Sequence, residues 1–218
     1  EFNVLNYPYF YNGGGVAVGD INNDGLTDVF FTGNMVKNRL YLNKGNFEFE
    51  DITEKSSVAD SQGWCTGATM ADVNADGWLD IYVCRSADAD PLKRKNLLFI
   101  NNHDNTFTEQ AEKYGIGDNG YSTHAAFFDY DKDNDLDLVV INHSLKQYMT
   151  GLLDRPGIRL QTKPEFSTHL YRNDNIWYTN VTDSAGITSN VLSFGLGVAV
   201  SDLNNDGWPD LYISNDFN

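Results

Sequence analysis

Four segments of this chain spell one nine-residue pattern, D-x-[DN]-x-D-[GN]-x-x-D, each between the same kinds of neighbour. They begin at Asp20, Asp72, Asp129 and Asp202, so successive copies lie 52, 57 and 73 residues apart. Such a period marks an array of one supersecondary unit. A stretch of small residues precedes each loop: GVAVG from 15, GATMA from 67, HAAFF from 124 and GVAVS from 197. An apolar β-branched run follows each, at Val29–Thr32, Ile81–Cys84, Leu138–Ile141 and Leu211–Ser214. Then come strand-like segments ending in Asn: RLYLN at 39–43, LLFIN at 97–101 and HLYRN at 169–173. After a turn rich in Asn, Gly and Asp, a last apolar and aromatic segment closes each unit, at 47–53, 106–111 and 177–182, before Val58, Ile116 or Ile187.

The unit therefore reads strand, acidic loop, strand, connector, strand, turn, strand. Four short antiparallel strands in about 50 residues is the pattern of a propeller blade. The predicted fold class is all-β, with four-stranded antiparallel blades belonging to a larger, seven-bladed propeller. The predicted blades are 15–58, 67–116, 124–187 with an insertion at 142–168, and an incomplete 197–218. The small residues of each first strand fit the axis, where blades crowd. A ring closed by this chain alone needs residues 1–14 to supply missing strands. An open blade edge predicts self-association. The opening Glu1 and the half-finished last unit read as an excised segment.

The acidic loops predict calcium. That ion takes six to eight hard oxygens at roughly 2.3–2.6 Å. In a tight loop, side chains at positions 1, 3, 5 and 9 and the carbonyl at position 7 can converge. The first loop offers Asp20, Asn22, Asp24, the Leu26 carbonyl and Asp28. The second offers Asp72, Asn74, Asp76, the Trp78 carbonyl and Asp80. The third offers Asp129, Asp131, Asp133, the Asp135 carbonyl and Asp137, and the fourth Asp202, Asn204, Asp206, the Trp208 carbonyl and Asp210. Position 6 must turn sharply, which suits Gly25, Gly77 and Gly207; Asn134 stands there in the third loop and tolerates the left-handed region. Fourteen of the 31 acidic residues lie in these loops, and four calcium ions would bring the formal charge from −16 to −8. An EF-hand is excluded, since its position 12 needs Glu and here holds Phe31, Val83, Val140 and Ile213. Magnesium is disfavoured by its demand for near-ideal octahedra. Zinc lacks Cys and His ligands in the loops.

The spellings YNGGGVAVGDINNDGLTD, GWCTGATMADVNADGWLDIYVC and STHAAFFDYDKDNDLDL carry a family resemblance. The units resemble FG-GAP or VCBS repeats, as in the head propeller of integrin α subunits. They are similar in particular to the cartilage-acidic-protein-like (ASPIC/UnbV-associated) proteins, notably long ones of Bacteroidetes. The resemblance covers nearly the whole chain. It implies a seven-bladed parent propeller, calcium in the loops, and export to the periplasm or cell surface; it implies no reaction. Asn134 and the 142–168 insertion depart from it.

The rest of the sequence narrows the function. A charge of −16 and a pI near 4.3 argue against nucleic acid as a partner. No apolar run is long enough to span a membrane, so a membrane is reached only through an anchor outside this segment. Cys65 and Cys84 make no disulfide framework and are expected as free buried thiols. His103 is expected to be solvated in a turn, and His169 to be structural at a strand start. His124 replaces the glycine of the other units, so an axial pocket with Tyr121 and Arg155 is a candidate ligand site. The insertion is locally basic through Lys146, Arg155, Arg159 and Lys163; a flap over one face is its simplest role. No nucleophile elbow, phosphate loop or Cys/His cluster is present. The leading reading is an extracytoplasmic, calcium-stabilised binding module for a protein or glycan. The alternatives are a polysaccharide lyase or hydrolase with His124 or Tyr121 as base, or a purely structural surface segment.

Overall fold

The computed structural model describes residues 3, 7, 9–60, 62–145, 157–175 and 177–216. The chain is all-β. The first sheet contains β1 (Val16–Gly19), β2 (Asp28–Phe31), β3 (Arg39–Asn43) and β4 (Phe49–Asp51) in sequence order. The second contains β5 (Trp64–Ala71), β6 (Asp80–Ser86), β7 (Leu97–Asn101) and β8 (Phe107–Glu109). The third contains β9 (Ser122–Phe128), β10 (Asp137–Asn142), β11 (His169–Asp174) and β12 (Trp177–Asn180). A two-stranded sheet, β13 (Gly195–Ser201) with β14 (Asp210–Asn215), follows. Every pairing is antiparallel. These are propeller blades, and among the described residues they do not close a ring.

The first strands stand side by side around the axis: β1 against β5, β5 against β9, and β9 against β13. Glycine is required there by close approach. A Cβ on Gly15 would come within 2.5 Å of the Thr66 carbonyl oxygen, and one on Gly67 within 2.5 Å of that of Thr123. Hydroxyls tie the strands across the blades. Thr66 Oγ1 donates to the Ser122 carbonyl at 2.7 Å, and Thr123 Oγ1 to the Gly195 carbonyl at 2.7 Å. In the first unit Gly14 stands where these threonines would be, and Thr32 from the end of β2 donates to Thr66 O at 2.5 Å instead.

Between blades the apolar faces form three successive cores. Phe30, Leu40, Ile81 and Val83 share the first, Tyr82, Leu98, Leu138 and Val140 the second, and Val139, Ile141 and Leu170 the third. The third core packs against Val198, Val200, Leu211 and Ile213 of the last sheet. At the two ends the pattern lies open. Val16, Val18 and Phe31 are exposed, as are Leu203 and Tyr212, although Phe30 and Tyr82, which align with Tyr212, are wholly buried.

The N-terminal segment adds no strand among the described residues. It turns, with Phe10 N–H donating to Tyr7 O and Asn12 N–H to Tyr9 O, and packs Tyr7 and Tyr9 against Trp64 and Phe194. The described end of the insertion, 157–168, lies as a flap. Ile158 packs on Val191 and Leu192, and Val191 N–H donates to Gln161 O. Both cysteines are free and buried.

Candidate metal sites

Each acidic loop joins the first strand of a sheet to the second, and the ninth loop residue opens the second strand. That residue is wholly buried in Asp28, Asp80 and Asp137. One carboxylate oxygen accepts from the backbone N–H of loop position 2: Ile21 at 3.0 Å, Val73 at 3.1 Å, Tyr130 at 2.7 Å and, for Asp210, Leu203 at 2.9 Å. The other accepts from the N–H of an Asn at or one residue before the end of the third strand: Asn43 at 2.8 Å, Asn101 at 2.8 Å and Asn173 at 2.9 Å. The last aspartate thus fastens the loop to a strand two elements away. Sequence reasoning gave it a ligand role alone; the recurrent Asn at 43, 101 and 173 was the available signal.

The remaining acidic groups organise the loop backbone. The first Asp accepts from the N–H groups of positions 5 and 6, as Asp20 does from Asp24 at 3.1 Å and Gly25 at 2.7 Å. The fifth accepts from position 7, as Asp24 does from Leu26 at 2.8 Å. The same bonds recur in the other three loops. Position 6 is left-handed, with φ of 85° at Gly25, 87° at Gly77, 74° at Asn134 and 82° at Gly207. Position 4 is left-handed too, at Asn23, Ala75, Lys132 and Asn205, a demand the glycine pattern did not reveal.

Position 3 separates the loops. Asn22, Asn74 and Asn204 each donate from Nδ2 to the position-5 carboxylate at 3.0, 2.9 and 3.0 Å. The third loop has Asp131 there and no amide to donate. Ligand oxygens of Asp129, Asp131 and Asp137 lie within 4.8 Å of one another. Oδ1 of Asp131 and Oδ1 of Asp135 are buried without a hydrogen bond. Burial, then the charges of Asp133 and Asp137, pushes Asp135 up to about 6; burial also raises Asp137. In the second loop burial, helped by the charges of Asp76 and Asp72, takes Asp80 to about 6 against the pull of its two backbone hydrogen bonds. An all-oxygen set in which Asp131 Oδ1 has no donor would suit a hard cation better than a soft one.

The loops also touch their neighbours. Asn23 Nδ2 donates to Gly77 O in the next loop at 3.1 Å. Lys132 Nζ sits 4.1 Å over the Trp208 ring of the fourth loop. His103 is not simply solvated: its ring stacks on Trp78 at 4.8 Å, and its Nε2 lies 3.0 Å from Asp76 Oδ2. Burial works against ionisation of Asp76, but the bonds from His103, the Trp78 N–H and Asn74 outweigh it and lower its pKa.

The axial constellation of His124 with Tyr121 and Arg155 is corrected. His124 does line a cavity at the end of the inner strands opposite the loops. Tyr121 faces elsewhere: its ring lies 4.0 Å under the Arg94 guanidinium and 5.7 Å from Phe166. A register shift opposite Ile141 and Asn142 pairs them with His124 and Ser122 and skips Thr123. Arg155 and Lys146 lie outside the described residues. Two buried centres were not read from sequence. His143 Nε2 lies 3.0 Å from Ser86 Oγ and 3.3 Å from Tyr7 Oη. Asp118 is held by His169 Nδ1 at 2.5 Å and by the Tyr171 hydroxyl at 2.7 Å.

Among the described residues no helix is long and apolar enough to cross a membrane. Comparison with known proteins agrees with the blade architecture. The chain is 29% identical over 206 residues to cartilage acidic protein 1 of Xenopus tropicalis, covering 94% of this chain and 29% of that protein. It is 36% identical over 69 residues to the Mus musculus protein of the same name, covering 32% of this chain and 11% of that one. The chain therefore spans less than a third of the length of these relatives. The profile of the FG-GAP-like repeat matches residues 7–83 and 86–140, well over half of the sequence, and the chain belongs to that repeat family.

Proposed function

We propose that this chain is a calcium-stabilised, extracytoplasmic propeller segment that presents a blade face to a protein or glycan partner. The observation that carries calcium is the third loop, where Asp129, Asp131 and Asp137 converge and Asp131 and Asp135 keep buried oxygens without donors. A doubly charged cation among them relieves repulsion that no side chain in the loop offsets. The residues to hold it are the loop aspartates and asparagines, with the carbonyls of position 7 completing an all-oxygen set. When bound, the ion supplies charge neutralisation and a fixed loop conformation. The protein's own groups already set much of that conformation through the bonds to Asp20, Asp72, Asp129 and Asp202.

Support for an extracytoplasmic setting comes from the net charge of −16, and from relatives whose name refers to cartilage. Sites open to solvent at a blade end suit a medium rich in calcium. The enzymatic alternative keeps His124 as its candidate base, since that residue lines the cavity and Tyr121 does not. The spacer alternative is separated by partner screening: a spacer captures neither glycan nor protein.

Calcium is tested by thermal melts with millimolar calcium and with excess chelator, joined to elemental analysis of the purified chain. A higher melting temperature with calcium and several ions per chain support the reading. Coincident melts and no bound calcium sink it.

A further inference from the structure

An ion pair closes the same edge of the first two blades. Lys37 Nζ lies 2.7 Å from Glu54 Oε1 in the first, and Lys95 Nζ pairs with Glu112 in the second. Each lysine stands two residues before the third strand of its sheet, and each glutamate three residues after the fourth. The same places in the third unit hold Ser167 and Asp183. Shared backbone bonds fix this correspondence. Beside the acids, the N–H groups of Ser56, Tyr114 and Ala185 donate to the carbonyls of Ile52, Gln110 and Val181. Beside the cations, those of Asn38, Asn96 and Thr168 donate to Asp60 O, Asp118 O and Ser189 Oγ. The third blade therefore keeps the carboxylate of the pair and has a hydroxyl in place of its ammonium.

A second half-open cavity, of about 450 Å³, stands at that edge. Pro164 and Ser167 line it from the flap, Asp183 and Ile187 from the turn after the fourth strand, and His169 and Ser189 complete it. The groups that matter are open to a ligand: Asp183 is exposed, and Ser167, Ile187 and Ser189 are half-buried. This edge faces solvent even where a complete sheet follows, since the side chains of Lys37 and Glu54 are 45% and 72% exposed.

The charges around the cavity favour a cation. His169 Nδ1 bonds to Asp118 at 2.5 Å, and the Gly120 N–H and the Tyr171 hydroxyl also donate to that buried carboxylate at 2.7 Å each. Burial opposes the charge of Asp118, and these donors outweigh it. The protonated imidazole thus leaves the pair neutral and the neutral imidazole leaves it negative. Asp183 adds its own charge. Ser167 Oγ donates to Lys163 O at 3.0 Å, so its lone pairs are left to accept. Lys163 itself is engaged elsewhere, with Nζ 3.5 Å from Glu165 and 5.5 Å over the Phe166 ring. A repeat that departs from its own rule beside a cavity is where function is expected.

We propose that this cavity binds a primary ammonium group on an aliphatic stem, with the nitrogen at Asp183 and Ser167 and the stem along Pro164 and Ile187. The ligand supplies the ammonium that Lys37 and Lys95 supply in the other two blades. An ammonium is a compact charge with three donors, matched here by a carboxylate and hydroxyl oxygens. The volume lies within the usual range of small-ligand sites. A lysine side chain of a partner and a free alkylamine share this chemistry. The assignment rests on the reading of the chain as a module that takes a partner, and it is independent of the acidic loops.

The test is an amide NMR titration of the chain in millimolar calcium, at constant ionic strength. The probes are n-butylamine, Nα-acetyl-lysine methylamide and Nα-acetyl-norleucine methylamide, the last having the stem without the charge. The expected result is saturable shifts at Ser167, Asp183 and Ser189 from at least one ammonium compound, with a Kd on the order of ten millimolar. The norleucine compound should bind about tenfold more weakly. Tighter binding of the lysine compound supports a protein as the source of the group, and tighter binding of butylamine a free amine. Ser167→Lys restores the pair of the other blades, so binding should vanish while the melting temperature holds or rises. Asp183→Asn removes the anion at an exposed position and should abolish binding as well. No saturable shift, equal binding of the norleucine compound, or undiminished binding in both variants overturns the proposal. Calcium dependence of the melt is read separately, so failure of the metal reading and failure of the ammonium site are told apart.

Discussion

The backbone N–H of Asn101 donates to Asp80 Oδ1 at 2.8 Å, and this bond ties the end of an acidic loop to the close of the third strand. Asn43 with Asp28 and Asn173 with Asp137 repeat it. The ninth loop residue therefore holds the blade together whether or not a cation is present.

That double role separates two substitutions. Asp80→Ala strands the Val73 and Asn101 N–H groups in a buried setting and should cost roughly 2–4 kcal/mol, even in chelator. Asp24→Ala, in the exposed part of the first loop, should lower the melting temperature chiefly in calcium. Denaturant unfolding of both variants in calcium and in chelator checks this; equal losses in all four conditions would contradict it.

In the third loop, Asp131→Asn installs the residue that the other loops carry. It should stabilise the chelated protein, because one charge leaves a group of carboxylates within 4.8 Å of one another. It should also weaken calcium binding at that loop by removing an anionic ligand. Calorimetric calcium titration together with a chelated melt reads both signs, and a destabilised chelated form would refute the repulsion argument.

Two histidines give opposite pH dependences. For Asp118 burial favours the neutral acid, but His169, the Gly120 N–H and Tyr171 outweigh it and lower the pKa. For His169 burial opposes charge, and Asp118 overcomes it and raises the pKa. The raised histidine contributes below its ordinary 6.5 and is lost as pH climbs through its raised value. The lowered carboxylate contributes above its ordinary 3.8 and is lost as pH falls through its lowered value. The pair is therefore fully effective between those two ordinary values.

His143 behaves in the other sense, since burial lowers it from 6.5 to about 4. Its contribution is present above 6.5 and is lost as pH falls from there to about 4, on the order of 3 kcal/mol. Stability measured in chelator at several pH values should therefore fall more steeply below 6.5 in the parent than in His143→Gln. Parallel profiles would contradict the buried neutral imidazole.

Ala75 sits at φ 57° in a position where the first and fourth loops have Asn23 and Asn205. Alanine is strained there and asparagine much less so. Ala75→Asn should stabilise the chain by about 0.5–1 kcal/mol, seen as a rise of about 2 °C in melting temperature. An unchanged or lower value would count against backbone strain at that position.

The repeat made the blades legible. RLYLN and LLFIN are strands at 39–43 and 97–101, as the alternation required. The second strands begin one residue sooner than the apolar runs, because the buried Asp28, Asp80 and Asp137 join the ladder. The fourth strands are shorter than their apolar segments, at 49–51, 107–109 and 177–180. The chain leaves the ladder for a turn, or for the short helix Ala111–Tyr114, to bury Val58 or Ile116. His143 and Asp118 were illegible because their partners come from strands and loops far along the chain. Tyr121 was misplaced because its ring packs under Arg94 and beside Phe166, side chains far from it in the sequence.

The most direct measurement is the thermal melt of the chain in millimolar calcium and in excess chelator, beside elemental analysis. A ligand that binds the folded state alone raises stability by mass action. The account predicts a marked drop on chelation and three or four calcium ions per chain, one for each acidic loop that fills. Coincident melts with no bound calcium would mean that the four loops are hydrogen-bonded turns and no more.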